Sequence, residues 1–62
     1  MQQWEYAQFE WGSYRQVTFS DGKTWKLGKD DGYIPSMGQL GGDGWELVAV
    51  QGSQHYFKRP KP

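Results

Sequence analysis

Nine consecutive residues constrain this chain more tightly than any others: Leu40-Gly41-Gly42-Asp43-Gly44-Trp45-Glu46-Leu47-Val48. Leu40 ends an apolar series, Ile34, Met37 and Leu40, whose three-residue spacing places all three on one helix face. Pro35 stands early in that segment, where a missing N–H costs nothing. A glycine just past a helix takes the left-handed conformation that turns the chain back and satisfies the last carbonyls. Gly44 is therefore predicted to have positive φ, and a buried strand is predicted to begin at Trp45. Trp45 is the first large side chain after the reversal and the expected anchor beneath the stripe of Ile34, Met37 and Leu40. In a strand Trp45 and Glu46 face opposite sides, so they do not form one site. Glu46 is instead expected to pair across strands, with Lys58 or Arg15. The helix is intrinsically poor. Gly38, Gly41 and Gly42 each cost about 1 kcal/mol against alanine, so it should exist only when docked on a sheet.

The rest of the chain reads as strands and turns. Trp4 to Trp11 contains no glycine or proline and alternates, with Trp4 and Tyr6 on one face and Ala7, Phe9 and Trp11 on the other. Gly12-Ser13 is predicted to turn it into a second strand, Tyr14 to Ser20, with Val17 and Phe19 on one side. Ser20-Asp21-Gly22-Lys23 is the next turn, leading to a short third strand, Thr24 to Leu27. Beyond the glycine junction, Trp45 to Gln51 and Gln54 to Arg59 form a hairpin around Gly52-Ser53. The tail Pro60-Lys61-Pro62 is expected to be disordered. The fold class is α+β: a small, mostly antiparallel sheet of about five strands with one short helix on one face. A small SH3-like barrel, with the helix reduced to a turn, is the alternative.

These segments resemble a known family. The opening Trp4-Glu5-Tyr6, the helix end Leu40-Gly41, the run Gly44-Trp45-Glu46-Leu47-Val48-Ala49-Val50 and the closing Tyr56-Phe57-Lys58-Arg59-Pro60 resemble the short bacterial proteins of domain of unknown function forty-one seventy-seven. The likeness spans nearly the whole chain. It implies a tiny antiparallel sheet with one helix. The family has no established activity, so it implies no catalytic residue. The chain departs from it in its glycine-rich helix, where the family usually has charged helix formers.

Size and composition narrow the functional classes. Sixty-two residues make a single domain, residues 1–62, and so short a chain buries only about 60% of its unfolded surface. It has no cysteine, so neither a disulfide nor a thiolate zinc site supports it. Its stabilising material is aromatic: four Trp, four Tyr and three Phe. Seven acids balance seven bases, which disfavours strong nonspecific binding to nucleic acid or anionic membrane. The longest apolar run, Leu47 to Val50, is far too short to span a bilayer. Met1-Gln2-Gln3-Trp4-Glu5 lacks the charged and apolar regions of a secretion signal, so the expected location is cytoplasmic.

No residue set suggests catalysis. Gly38, Gly41, Gly42 and Gly44 match no phosphate-binding pattern, and they end a helix, where carbonyls rather than N–H groups point outward. His55 is the only histidine; without a partner to orient it, it reads as a surface strand position. Asp30-Asp31-Gly32 lacks the ligand spacing of a calcium loop and reads as a solvated turn. No metal or cofactor is expected, and the chain is not expected to be an enzyme.

The remaining candidate is a surface. Tyr14, Arg15, Trp25, Lys26, Tyr56, Lys58 and Arg59 are aromatic or basic and fall on strands that could share a sheet face. Tyr14, Arg15, Trp25, Tyr56 and Lys58 are the interaction residues expected from this pattern; Gly44 and Trp45 are structural. The favoured function is a non-enzymatic protein-interaction or self-associating module. It would use an aromatic sheet face or a strand edge, with a second copy of the chain or another protein as partner. Aromatics on both faces of the first strand support this, because one short helix covers only one face and an uncovered patch marks an interaction site. A weak single-stranded nucleic-acid binder is the alternative, since aromatic faces stack bases and cations neutralise phosphates. Alternation within strands limits it: only Tyr56 and Lys58 share a side within one strand.

Overall fold

The computed structural model describes residues 1–28 and 30–62. The element order is β1 (Trp4–Trp11), β2 (Arg15–Phe19), β3 (Thr24–Lys26), α1 (Tyr33–Gly42), β4 (Glu46–Gln51) and β5 (Gln54–Pro60). The five strands form one open sheet in the order β3-β2-β1-β5-β4, with every pairing antiparallel. The sheet is therefore α+β and open, with β3 and β4 at its edges, and not the SH3-like barrel. β1 occupies the centre because the meander and the C-terminal hairpin each add to one of its sides.

The turns follow the residues that form them. Gly22, at φ +92°, closes the β2–β3 turn, where the Asp21 carboxylate accepts the Lys23 N–H at 2.9 Å. Gly52 has φ +61°, while among the described residues no non-glycine residue has positive φ. Gly52-Ser53 is thus a two-residue turn with glycine first, which matches the twist of the flanking strands. The first turn is longer than predicted. Trp11 pairs with Arg15, so residues 12–14 form a three-residue loop and Tyr14 lies in it, not in β2. The tail is also more tied down than expected: Pro60 pairs with Trp4, and the Lys61 N–H donates to the Gln3 carbonyl at 2.9 Å.

The glycine junction is a helix-ending motif in full. Trp45 N–H donates to the Leu40 carbonyl and Gly44 N–H to the Gly41 carbonyl, each at 3.0 Å. Gly44 has φ +91°, as predicted. This is the paired hydrogen-bond pattern of a Schellman end, accompanied by its apolar contact: Leu40 and Trp45 belong to the same buried cluster. Trp45 is only 7% exposed, and its ring packs against Phe19 with centroids 5.7 Å apart. The predicted anchor is present.

Two expectations about this region are corrected. The stripe Ile34-Met37-Leu40 is not the buried face, because Ile34 is exposed. The helix begins at Tyr33, and its inward residues are Tyr33, Ser36, Met37 and Leu40, the i, i+3, i+4, i+7 series of a sheet-facing helix. Ser36 is buried because its hydroxyl donates to the Gly32 carbonyl at 2.6 Å. The strand after Trp45 is not buried either: all six residues of β4 are exposed. The reason is its place at the sheet edge, beyond the cover of a single short helix.

Candidate interaction site

Cross-strand register sorts the side chains into two faces. On the helix side one row runs Trp25, Val17, Phe9, His55, Val50 across all five strands. The next runs Phe19, Ala7, Phe57, Leu47. Ala7, Phe9, Val17 and Phe57 are buried there with Leu40 and Trp45, and Trp11, Phe19, Trp25, Leu27 and Met37 pack around them. Among the described residues no element covers the opposite face. It carries Trp4, Tyr6, Gln8 and Glu10 from β1, with Tyr56 and Lys58 beside Gln8 and Tyr6, and Tyr6 is 56% exposed.

The aromatic-basic set is divided between these surfaces. Trp25 lies on the helix side, opposite Val17, because β3 alternates Thr24, Trp25, Lys26. Arg15 also lies there, its guanidinium 4.2 Å from the Trp11 ring centre. Arg59 is committed on that side too: it pairs with Glu5, donates to the Asp43 carbonyl at 2.7 Å and lies 4.3 Å over the Trp45 ring. It ties β5 and β1 to the helix end. Tyr56, Lys58 and Lys26 occupy the open face. Tyr14, Arg15 and Lys26 do meet, but in a groove at the end of the sheet that Gly12, Leu27 and Gly28 complete. The seven residues therefore do not form one face, since neighbours in a strand point to opposite sides.

The open face is electrically neutral, and two of its side chains are engaged within it. Its sheet positions carry Lys26 and Lys58 against Glu10 and Glu46. Glu46 sits opposite Lys58, as one of the two predicted pairings has it. The Lys58 ammonium lies 4.3 Å over the Trp4 ring, a cation–π contact, and among the described residues the ion pair is Glu5 with Arg59. Tyr56 donates its hydroxyl to Gln54 at 2.7 Å.

His55 is corrected from a surface position to a buried one, 4% exposed. Its Nδ1 lies 3.2 Å from the Phe9 carbonyl and its Nε2 2.5 Å from the Tyr33 hydroxyl. A carbonyl only accepts, so Nδ1 carries the proton and Nε2 accepts from Tyr33. The ring is thereby a rivet between β1, β5 and the first turn of α1, with Phe9, Trp11 and Tyr33 clustered around it. The signal was present in the sequence: His55 shares strand parity with Phe57, so alternation put both on the core side. Asp31 likewise has a structural task, its carboxylate accepting the Gly28 N–H at 2.7 Å. Among the described residues no cluster of His, Cys, Asp and Glu has the arrangement of a metal site.

The feature that sequence reasoning missed is β4. Leu47, Val48 and Val50 are large apolar residues at 41%, 55% and 55% exposure. Among the described residues β4 pairs only with β5, so its outer backbone groups have no strand partner there. The register shifts between Leu47 and Ala49, a bulge that leaves Ala49-Val50-Gln51 as a regular stretch of edge. It carries neither lysine nor proline, the residues that usually guard an edge strand.

Among the described residues no helix is long and apolar enough to cross a membrane. Compared with known proteins, the chain matches no family model, no curated protein and no solved structure.

Proposed function

We propose that this protein is a non-enzymatic interaction module that binds another polypeptide along the β4 edge. The observation that carries the reading is that every residue of Glu46–Gln51 is exposed, in an apolar strand with an unpaired outer edge among the described residues. An incoming strand gains main-chain hydrogen bonds there, with exposed side chains setting specificity. The reading keeps the strand edge of the sequence expectation and gives the open aromatic face a lesser part, since Lys58 is held over Trp4 and Tyr56 on Gln54 within that face. Affinity capture with paired baits tests it. Proteins held by the native chain and lost from a folded Val50→Lys variant support the edge. Equal capture by both overturns it.

A second reading rests on the groove at the sheet end, where Tyr14, Arg15 and Lys26 converge. Two cations beside an aromatic ring suit a single-stranded nucleic acid. Titration of labelled oligonucleotides at low and moderate salt tests it. Binding that weakens steeply with salt and falls in Arg15→Ala supports this reading, and no binding at low salt removes it.

A further inference from the structure

We infer that the occupant of the β4 edge is a second copy of this chain, its β4 running antiparallel, so that two five-stranded sheets join into one continuous sheet about a two-fold axis. This rests on the reading of β4 as an interaction edge and names the partner.

Three features point to a copy. The first is the backbone. The two-residue turn makes Gln51 and Gln54 the hydrogen-bonded pair that flanks it. Antiparallel pairs alternate between bonded and non-bonded, so Val50, next along and opposite His55, directs its N–H and C=O away from β5. Val50 residues of two copies related by a two-fold axis satisfy each other, the same patch serving on both sides. The bulge between Leu47 and Ala49 leaves the stretch around Val50 as the regular part of the edge, so the pairing centres there.

The second feature is charge. Glu46 is the only charged residue of the strand and stands at its start. An antiparallel arrangement sends the two Glu46 carboxylates to opposite ends, whereas a parallel one sets them side by side, which is unfavourable. The third is the apolar surface. Val50 and Leu47 both face the helix side, paired with His55 and Phe57, yet remain uncovered. An axis perpendicular to the sheet keeps that side common to both copies. The two Val50 side chains then lie together, with Leu47 flanking the strip. A six-residue edge buries less than the roughly 1,200 Å² at which stable interfaces begin, so the dimer is reversible and concentration-dependent.

Sedimentation of the purified chain across rising concentration is the test. The native chain is expected to pass from monomer to dimer within the micromolar range. Val50→Lys and Val50→Glu, each confirmed folded by tryptophan fluorescence, should each weaken the dimer several-fold or more. An equimolar mixture of the two should restore it, which a merely misfolded variant would not do. A strictly monomeric native chain at hundreds of micromolar overturns the proposal. So does a Val50→Lys variant that associates as well as the native chain, including the case where Tyr6→Ser, on the open face, abolishes association instead. If the chain stays monomeric while the paired baits still capture proteins in an edge-dependent way, the copy is wrong and the edge stands. If both fail, the edge reading fails with it.

Discussion

β1 and β4 make an instructive pair. β1, Trp-Glu-Tyr-Ala-Gln-Phe-Glu-Trp, carries two acids and two amide or hydroxyl side chains, yet it holds Ala7 and Phe9 in the core. β4, Glu-Leu-Val-Ala-Val-Gln, is the most aliphatic segment of the chain, and none of its residues is buried. Hydropathy ranks the two strands in the wrong order. What decides burial is the position in the sheet: β1 lies at the centre, flanked by β2 and β5 and roofed by α1, while β4 lies at an edge beyond the helix. An aliphatic strand left at an edge has its stabilising surface still to be used, and in this molecule that surface is the candidate site.

The comparison breaks most directly by truncating each strand. Phe9 is fully buried, touching Tyr33, Trp11 and His55. Phe9→Ala should cost about 3–5 kcal/mol and leave so small a domain largely unfolded, as read by urea or thermal melts. Trp45→Ala should fall in the same range, because it empties the space beneath the helix end and also removes the platform for Arg59. A cooperative, normally melting Phe9→Ala or Trp45→Ala protein would refute the central-strand account of the core.

Between the core and the edge stands the His55 rivet. Tyr33→Phe keeps the ring packing but removes the hydroxyl that donates to Nε2. A buried acceptor left unpaired costs about 1–3 kcal/mol. The loss should fall on the helix first, so amide exchange in the first turn of α1 should quicken more than exchange in β1. Equal protection in the variant and the native chain would show that the helix is held by Leu40 and Trp45 alone.

Most of the fold was legible because local chemistry fixes local geometry. Glycines at 22, 44 and 52 mark the places where φ is positive, and strand, turn and helix segments followed from them. The faces were less legible. The spacing of Ile34 from Met37 and Leu40 suits an inward helix face, but the series from Tyr33 suits one equally, and the contacts of Tyr33 with Phe9, Trp11 and His55 select it. The chemistry of a lone His55 suggests a surface position, whereas its parity with Phe57 places it inward. The edge position of β4 was not legible at all. Strand order depends on which hairpin docks beside β1, and no single segment encodes that. The candidate site was missed for this reason, whereas the expected aromatic-basic face dissolved once alternation was counted across neighbouring strands.

Two glycines sharpen the same lesson with opposite signs. Gly44, at φ +91°, lies in a region that a side chain enters only under strain, so Gly44→Ala should cost on the order of 1 kcal/mol. Gly38 lies within α1, has no positive φ, and a Cβ there would meet no atom within 4 Å. Gly38→Ala should therefore stabilise by about 0.4–1 kcal/mol, by restricting the unfolded chain. Paired denaturant melts decide it, and a Gly38→Ala loss would mean that an unseen neighbour occupies that face of the helix.

The smallest expected effect is the most informative about β4. Val48 is 55% exposed and belongs to the bulge, so Val48→Ser removes little that the monomer uses. Its melting measured at low concentration, where the chain is monomeric, should match the native chain within about 0.5 kcal/mol. This contrasts with the several kcal/mol expected at Phe9, although valine at position 48 is the more aliphatic residue by sequence. Melts repeated at high concentration then separate monomer stability from association. A native chain stabilised by concentration, beside a Val48→Ser variant stabilised less, would place the value of the aliphatic edge in the contact between molecules. A large loss already at low concentration would instead mean that β4 is packed within its own fold, and the contrast between centre and edge would fail.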